Sequence, residues 1–213
     1  MKKLLHIIAS PRQANSRTSR ISNYLVDELK ANLPDLEVDE LSLFAEELPE
    51  MNVTRVDGKY VLMSGQDLSG EAEKSWEMIR KHIDRFLAAD IVVISTPMWN
   101  FSIPYKLKHY IDIIVQPRLT FRYGENGVEG LARGKKVIVV SSHGGDYSKS
   151  SPAASYDQLT PYLSQILGFI GITDLSFISA QPMDASGSEV REQRISEALD
   201  QVKRLVKKMQ VKN

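Results

Sequence analysis

Leu4-Leu5-His6-Ile7-Ile8-Ala9 is a nearly unbroken apolar run, closed by Ser10-Pro11. Such a run suits a strand buried on both faces of a parallel sheet, because a strand with one wet face alternates instead. The pattern returns at Ile91-Val92-Val93-Ile94, which ends in Ser95-Thr96-Pro97, and at Val137-Ile138-Val139-Val140, which ends in Ser141-Ser142. Leu175 to Ala180 is a weaker instance, and Leu36-Glu37-Val38-Asp39-Glu40-Leu41 alternates as an edge strand does.

Helical periodicity fills the intervals. Ile21, Leu25 and Leu29 recur at four residues, and Trp76, Ile79, Ile83 and Phe86 at three and four. Leu107, Ile111 and Ile114 share a face, as do Ile195, Leu199, Val202, Val206 and Met209. Tyr162, Ile166 and Phe169 suggest a further helix, ended at Gly168 or Gly171. Strands alternating with helices predict an α/β fold with a doubly wound five-stranded parallel sheet and helices on both faces. Residues 48–70 and 117–134 carry no clear period and several glycines, and read as long surface excursions.

Composition narrows the function classes. A chain of 213 residues with 42% hydrophobic and 25% charged residues is ordinary for one globular domain, here residues 1–213. Lys plus Arg equals Asp plus Glu at 27 each, so no net charge favours nucleic acid or an anionic membrane. The absence of cysteine excludes disulfides, thiolate metal sites, Fe–S clusters and a cysteine nucleophile, and fits a reducing compartment. Met1-Lys2-Lys3 resembles the opening of a signal peptide, but the apolar run after it is short and broken by Pro11. No run approaches the roughly 18 apolar residues of a membrane helix, and a cytoplasmic protein is expected.

In an open α/β sheet the ligand sits beyond the carboxyl ends of the strands, where the strand order reverses. The segment after strand one, Ser10 to Ser19, contains no glycine; the first glycine of the chain is Gly58. A Rossmann GxGxxG turn is therefore disfavoured and a P-loop excluded there. Ser10, Ser16, Thr18 and Ser19, with Arg17, instead offer hydroxyls and a positive charge to a phosphate monoester at a helix N-terminus. Ser16 or Thr18 could equally be a plain helix cap. After strand three, Met98, Trp99 and Phe101 suit the apolar face of a planar ligand and Asn100 its polar edge, or they form a satellite cluster under a loop. After strand four, Ser142-His143-Gly144-Gly145 lets a backbone approach a ligand closely or adopt positive φ, or marks an ordinary turn. In a 2-1-3-4-5 sheet these strands are neighbours at the switch point, and the three turns together describe an FMN site.

Four segments carry a family resemblance: Pro97-Met98-Trp99-Asn100-Phe101; Thr120-Phe121-Arg122-Tyr123 with Glu129-Gly130-Leu131; Ser142-His143-Gly144-Gly145; and Leu159-Thr160-Pro161-Tyr162-Leu163 through Leu167-Gly168-Phe169-Ile170-Gly171. The chain resembles the flavodoxin-like, FMN-dependent NADH azoreductases, also described as NADH:quinone oxidoreductases, nearly end to end. The resemblance implies a homodimer with FMN bound non-covalently near the interface. It implies that Ser10, Ser16, Arg17 and Thr18 hold the phosphate end, and that Met98 to Phe101 and Ser142 to Gly145 hold the isoalloxazine. NADH would be the donor and a quinone or azo compound the acceptor, exchanged through one site in ping-pong fashion. Trp99 stands where the family often has Tyr, and position 143 is not always His.

No catalytic acid or base is assigned. His143 titrates near neutral pH and reads either as a proton donor or as a neutral pocket wall. His6 reads as a satisfied core residue, and His82 and His109 share no ligand-like spacing, so no metal site is expected. Phe121 and Tyr123 could wall an acceptor pocket or pack a dimer interface. The rival classes are a flavodoxin-type electron carrier, and a flavin-binding protein without turnover.

Overall fold

The structure, a computed structural model, describes residues 1–12, 15–125 and 127–210. In chain order the elements are β1 (Lys2–Ile8), α1 (Arg17–Asn32), β2 (Leu36–Ser42), α2 (Val53–Met63), α3 (Gly70–Ala88), β3 (Ile91–Pro97) and α4 (Tyr105–Ile114). There follow β4 (Phe121–Gly124), β5 (Gly127–Gly130), β6 (Lys136–Ser142), α5 (Leu159–Phe169), β7 (Asp174–Ala180) and α6 (Gly187–Gln210). Five strands form one parallel sheet in the order β2-β1-β3-β6-β7, which is the expected 2-1-3-4-5 arrangement.

The unbroken apolar runs are explained by where their side chains go. Leu5, Ile7, Val92, Ile94, Val137 and Val139 enter one core with α3, α4 and α5, while Leu4, Ile91, Val93, Ile138 and Val140 enter a second core with α1 and α6. Successive residues of a strand alternate faces, so a sheet covered on both sides needs every position apolar. His6 is the polar exception in β1. It is 1% exposed, and its Nε2 lies 3.1 Å from Ser22 Oγ, which in turn donates to Ser95 Oγ at 3.0 Å.

Two segments expected as long surface excursions contain regular elements. Residues 53–63 form α2, capped by Asn52, whose side chain accepts the Arg55 N–H at 3.1 Å. Its buried residues are Gly58 and Leu62; at Gly58 a Cβ would fall 2.4 Å from Trp76 Nε1, and the indole itself donates to the Arg55 carbonyl at 3.1 Å. A helix whose buried residues are one glycine and one leucine gives little apolar period. Within 117–134, β4 and β5 pair antiparallel as a hairpin. Phe121 anchors it: 4% exposed, it packs against Phe169 of α5 with ring centroids 4.7 Å apart and planes tilted by 56°. Phe121 is thus packed inside its own chain, whereas Tyr123 is exposed.

Candidate functional site

The strand order reverses between β1 and β3, and three turns rise from the carboxyl ends of β1, β3 and β6 around that point. Hydrogen bonds tie them together. Thr18 Oγ1, in the first turn of α1, meets Ser142 Oγ at 2.5 Å, and the Met98 N–H donates to the Ser142 carbonyl at 2.9 Å. Ser142 thus joins the turn after β6 to both others.

The α1 turn is polar and buried: Ser10, Ser16, Thr18 and Ser19 are each at most 5% exposed. Ser16 is the N-cap, its Oγ accepting the Ser19 N–H at 3.2 Å, so the capping role and a ligand role fall on one residue. Ser10 Oγ accepts the Arg12 N–H at 3.4 Å. The Ser19 hydroxyl has no partner among the described residues. No acidic side chain occupies the first turn of α1, and Arg17 does. A guanidinium beside the positive end of a helix dipole is the reverse of the stabilising arrangement unless an anion joins it.

The turn after β3 is strained. The Trp99 and Ser102 backbones exchange hydrogen bonds at 2.9 and 3.0 Å, with φ of 46° at Asn100 and 70° at Phe101 between them. Positive φ at both central residues is the type I′ pattern, which tolerates Asn first and strongly favours Gly second. Phe in that second place costs on the order of 1–3 kcal/mol, and such strain concentrates at functional sites. The turn leaves Trp99 37% and Phe101 47% exposed. Trp99 leans on Phe44 with centroids 5.9 Å apart, while Phe101 meets Tyr156 at 5.4 Å and Tyr147 at 6.1 Å.

In the turn after β6 neither Gly144 nor Gly145 has positive φ, so close approach is what these glycines permit. A Cβ at Gly145 would sit 3.1 Å from the Tyr147 hydroxyl, and one at Gly144 would sit 3.4 Å from an Asp184 carboxylate oxygen. His143 is 1% exposed. Its N–H donates to the Ala180 carbonyl at 3.0 Å, its carbonyl accepts the Met183 N–H at 2.9 Å, and Nε2 lies 3.0 Å from Ser141 Oγ. Burial pushes its pKa below the usual histidine value, against the pull of Asp157. The ring is therefore neutral near pH 7 and held inward.

All twelve expected site residues lie in these three turns. Phe44, Tyr147, Tyr156 and Asp184 border the same end of the sheet and were not among them. Phe44 and Asp184 follow β2 and β7, so the strand-end rule, extended to all five strands, finds both. Among the described residues no group of three or more His, Asp or Glu is placed to hold a metal, and no helix is long and apolar enough to cross a membrane.

Residues 2–206 match a family described by its flavodoxin-like fold. The chain is 37% identical over 205 residues to an FMN-dependent NADH:quinone oxidoreductase of Nitratidesulfovibrio vulgaris (strain DP4), spanning 96% of this chain and 98% of that one. Its structure is similar to an azoreductase from Bacillus anthracis str. Sterne, with TM-score 0.87, 30% identity and coverage of 98% and 100%. It is also similar to an FMN-dependent NADH-azoreductase from Bacillus anthracis str. Ames Ancestor in complex with FMN, with TM-score 0.84, 27% identity and coverage of 97% and 100%. The chain belongs to this flavodoxin-like family of FMN-dependent NADH:quinone oxidoreductases and azoreductases.

Proposed function

We propose that this chain, residues 1–213 acting as one FMN-binding unit, is an NADH-dependent oxidoreductase that passes two electrons to quinones and aromatic azo compounds. The observation that carries the reading is the convergence of three turns on Ser142 at the switch point, one at the positive end of α1 with Arg17 in its first turn, one with half-exposed aromatics and one with two adjacent glycines. The residues present fit a flavin mononucleotide. An unpartnered Ser19 hydroxyl and Arg17 stand at the phosphate end, and two half-exposed aromatics on a strained turn stand at the ring end.

Ser10, Ser16, Thr18 and Arg17, with the free N–H groups of the first turn of α1, hold the phosphate. Met98, Trp99 and Phe101 cover apolar ring surface, and Asn100 with the Ser142 to Gly145 backbone meets its polar edge. Bound there, FMN supplies hydride exchange between the nicotinamide and the acceptor. The protein orients the reactants and excludes water. Donor and acceptor use one pocket in turn, which gives ping-pong kinetics. His143, buried and with Nε2 beside Ser141 Oγ, supports the loop. The protein works in the cytoplasm as a homodimer. The exposed Tyr60, Met63 and Tyr105 border a groove of about 790 Å³ with Val56, Val115 and Ile166, an apolar face suited to a second copy.

The purified protein should be yellow, and NADH alone should bleach it, with steady NADH consumption once a quinone is added. Initial-rate lines at several quinone concentrations should be parallel. A colourless preparation that refuses FMN defeats the reading. Bleaching that needs a separate reductase protein would make the chain an electron carrier, and bound flavin with no turnover would make it a binding protein.

A further inference from the structure

Arg17 does not stand free beside the end of α1. Its Nη1 donates to the carboxylate of Asp184 and, at 3.4 Å, to the carbonyl of Met183. Both partners lie in the turn after β7. That turn is fastened by groups that do not involve the carboxylate. The N–H groups of Met183, Asp184 and Ala185 converge on the Gly144 carbonyl at 3.2, 3.0 and 3.2 Å, and Arg191 Nε donates to the Met183 carbonyl at 2.8 Å. The Asp184 side chain is 64% exposed, and Arg17 is its one ion-pair partner among the described residues.

We propose that Asp184 sets how tightly the phosphate end of FMN is held, by competing with that phosphate for the Arg17 guanidinium. The inference rests on the phosphate role given to Arg17 above. A phosphate reaching the end of α1 meets a guanidinium whose charge is already shared with a carboxylate. The backbone bonds keep Asp184 from swinging away, so Arg17 turns to the incoming dianion only by giving up part of its pairing with that carboxylate. An exposed ion pair is worth little, so the effect is severalfold and not orders of magnitude. Asp184 thereby lowers the premium that the site places on a phosphorylated flavin over an unphosphorylated one, and eases exchange of the cofactor.

The 213-residue chain is titrated with FMN and with riboflavin at low salt, reading quenching of flavin fluorescence, for the natural sequence, Asp184→Asn, Arg17→Met and the double variant. Asp184→Asn should bind FMN about three- to fivefold more tightly with riboflavin unchanged, and the gain should vanish in the Arg17→Met background. Unchanged or weakened FMN binding by Asp184→Asn, or an equal gain without Arg17, overturns the proposal. Failure of the underlying reading looks different: the natural chain would then bind FMN no more tightly than riboflavin.

Discussion

The two ends of the sheet are built to opposite specifications. At the amino end polar groups are closed off. Lys135, 9% exposed, donates to the Ala89 carbonyl at 2.7 Å and to the Leu87 carbonyl, closing the last turn of α3, and the Lys3 N–H meets Asp90 at 2.7 Å. Lys136 pairs with Asp174 across the β6–β7 register. At the carboxyl end, by contrast, a hydroxyl is left without a partner, two residues sit at strained positive φ, and aromatic faces stay uncovered. Cavity size misleads on this point. A cavity of about 720 Å³ lies at the amino end, lined by Leu29, Leu33, Ile91, Lys135, Val206 and Met209, far from the three turns. Gln116 Oε1 and the positive φ of Arg118 show that either feature also occurs outside the three turns; the combination of an unpartnered hydroxyl, positive φ and uncovered aromatic faces, not volume, marks the carboxyl end.

The contrast can be tested from its strongest consequence downward. Gly130, on the approach to β6, lies against the chain at Ile170 and Gly171; an added Cβ would fall 2.1 Å from Gly171 N and 2.3 Å from the Ile170 carbonyl carbon. Backbone cannot step aside, so Gly130→Ala should destabilise the protein by about 3 kcal/mol or more in denaturant titration. Flavin affinity measured below the transition should be unaffected.

Between the two ends, burial pushes His6 down to about 4, and the exposed Glu40 carboxylate at 4.0 Å does not offset it. Because the folded value lies below the unfolded one near 6.5, the unfolded chain takes up a proton first as pH falls. Stability is then present in full above about pH 6.5 and declines toward pH 4, by about 3 kcal/mol in total. His6→Gln should flatten that decline, and an unchanged acid slope in the variant would shift the cause to other groups.

At the carboxyl end the effects should fall on binding. Arg17→Ala should weaken FMN by about 1–2 kcal/mol, with riboflavin nearly unaffected. Asn100→Ala should also loosen the flavin, and FMN affinity unchanged from the natural chain in both variants would move the site elsewhere. The smallest expected effect is the most diagnostic. Phe101→Gly removes strain at φ 70° and should leave folding stability unchanged or raised by about 1 kcal/mol, while flavin retention falls. A Phe101→Gly variant that loses stability and keeps its flavin would place Phe101 among the packing residues.

Much of this architecture was legible beforehand. Buried strands and amphipathic helices announce themselves by period, and the sheet order placed three turns at one edge. What escaped did so for local reasons. The buried residues of α2 are Gly58, which admits the Trp76 indole, and Leu62, and a glycine with a single leucine leaves no apolar period. The four-residue strands β4 and β5 are short, glycine-bounded and largely exposed, so they show no alternation between a dry and a wet face. The positive φ at Phe101 runs against its residue type, which is what strain at a site means.

The sequence by itself determined the doubly wound sheet, the glycine-free first turn that disfavours a dinucleotide loop, and the hydroxyl and aromatic chemistry offered at the strand ends. Only the tertiary structure decided which of those groups meet. Thr18 finds Ser142, 124 positions away, and Arg17 finds Asp184, 167 positions away. Periodicity records whether a residue is buried; it does not record what a buried or half-buried polar group will face, because that partner is delivered by the crossing of distant strands.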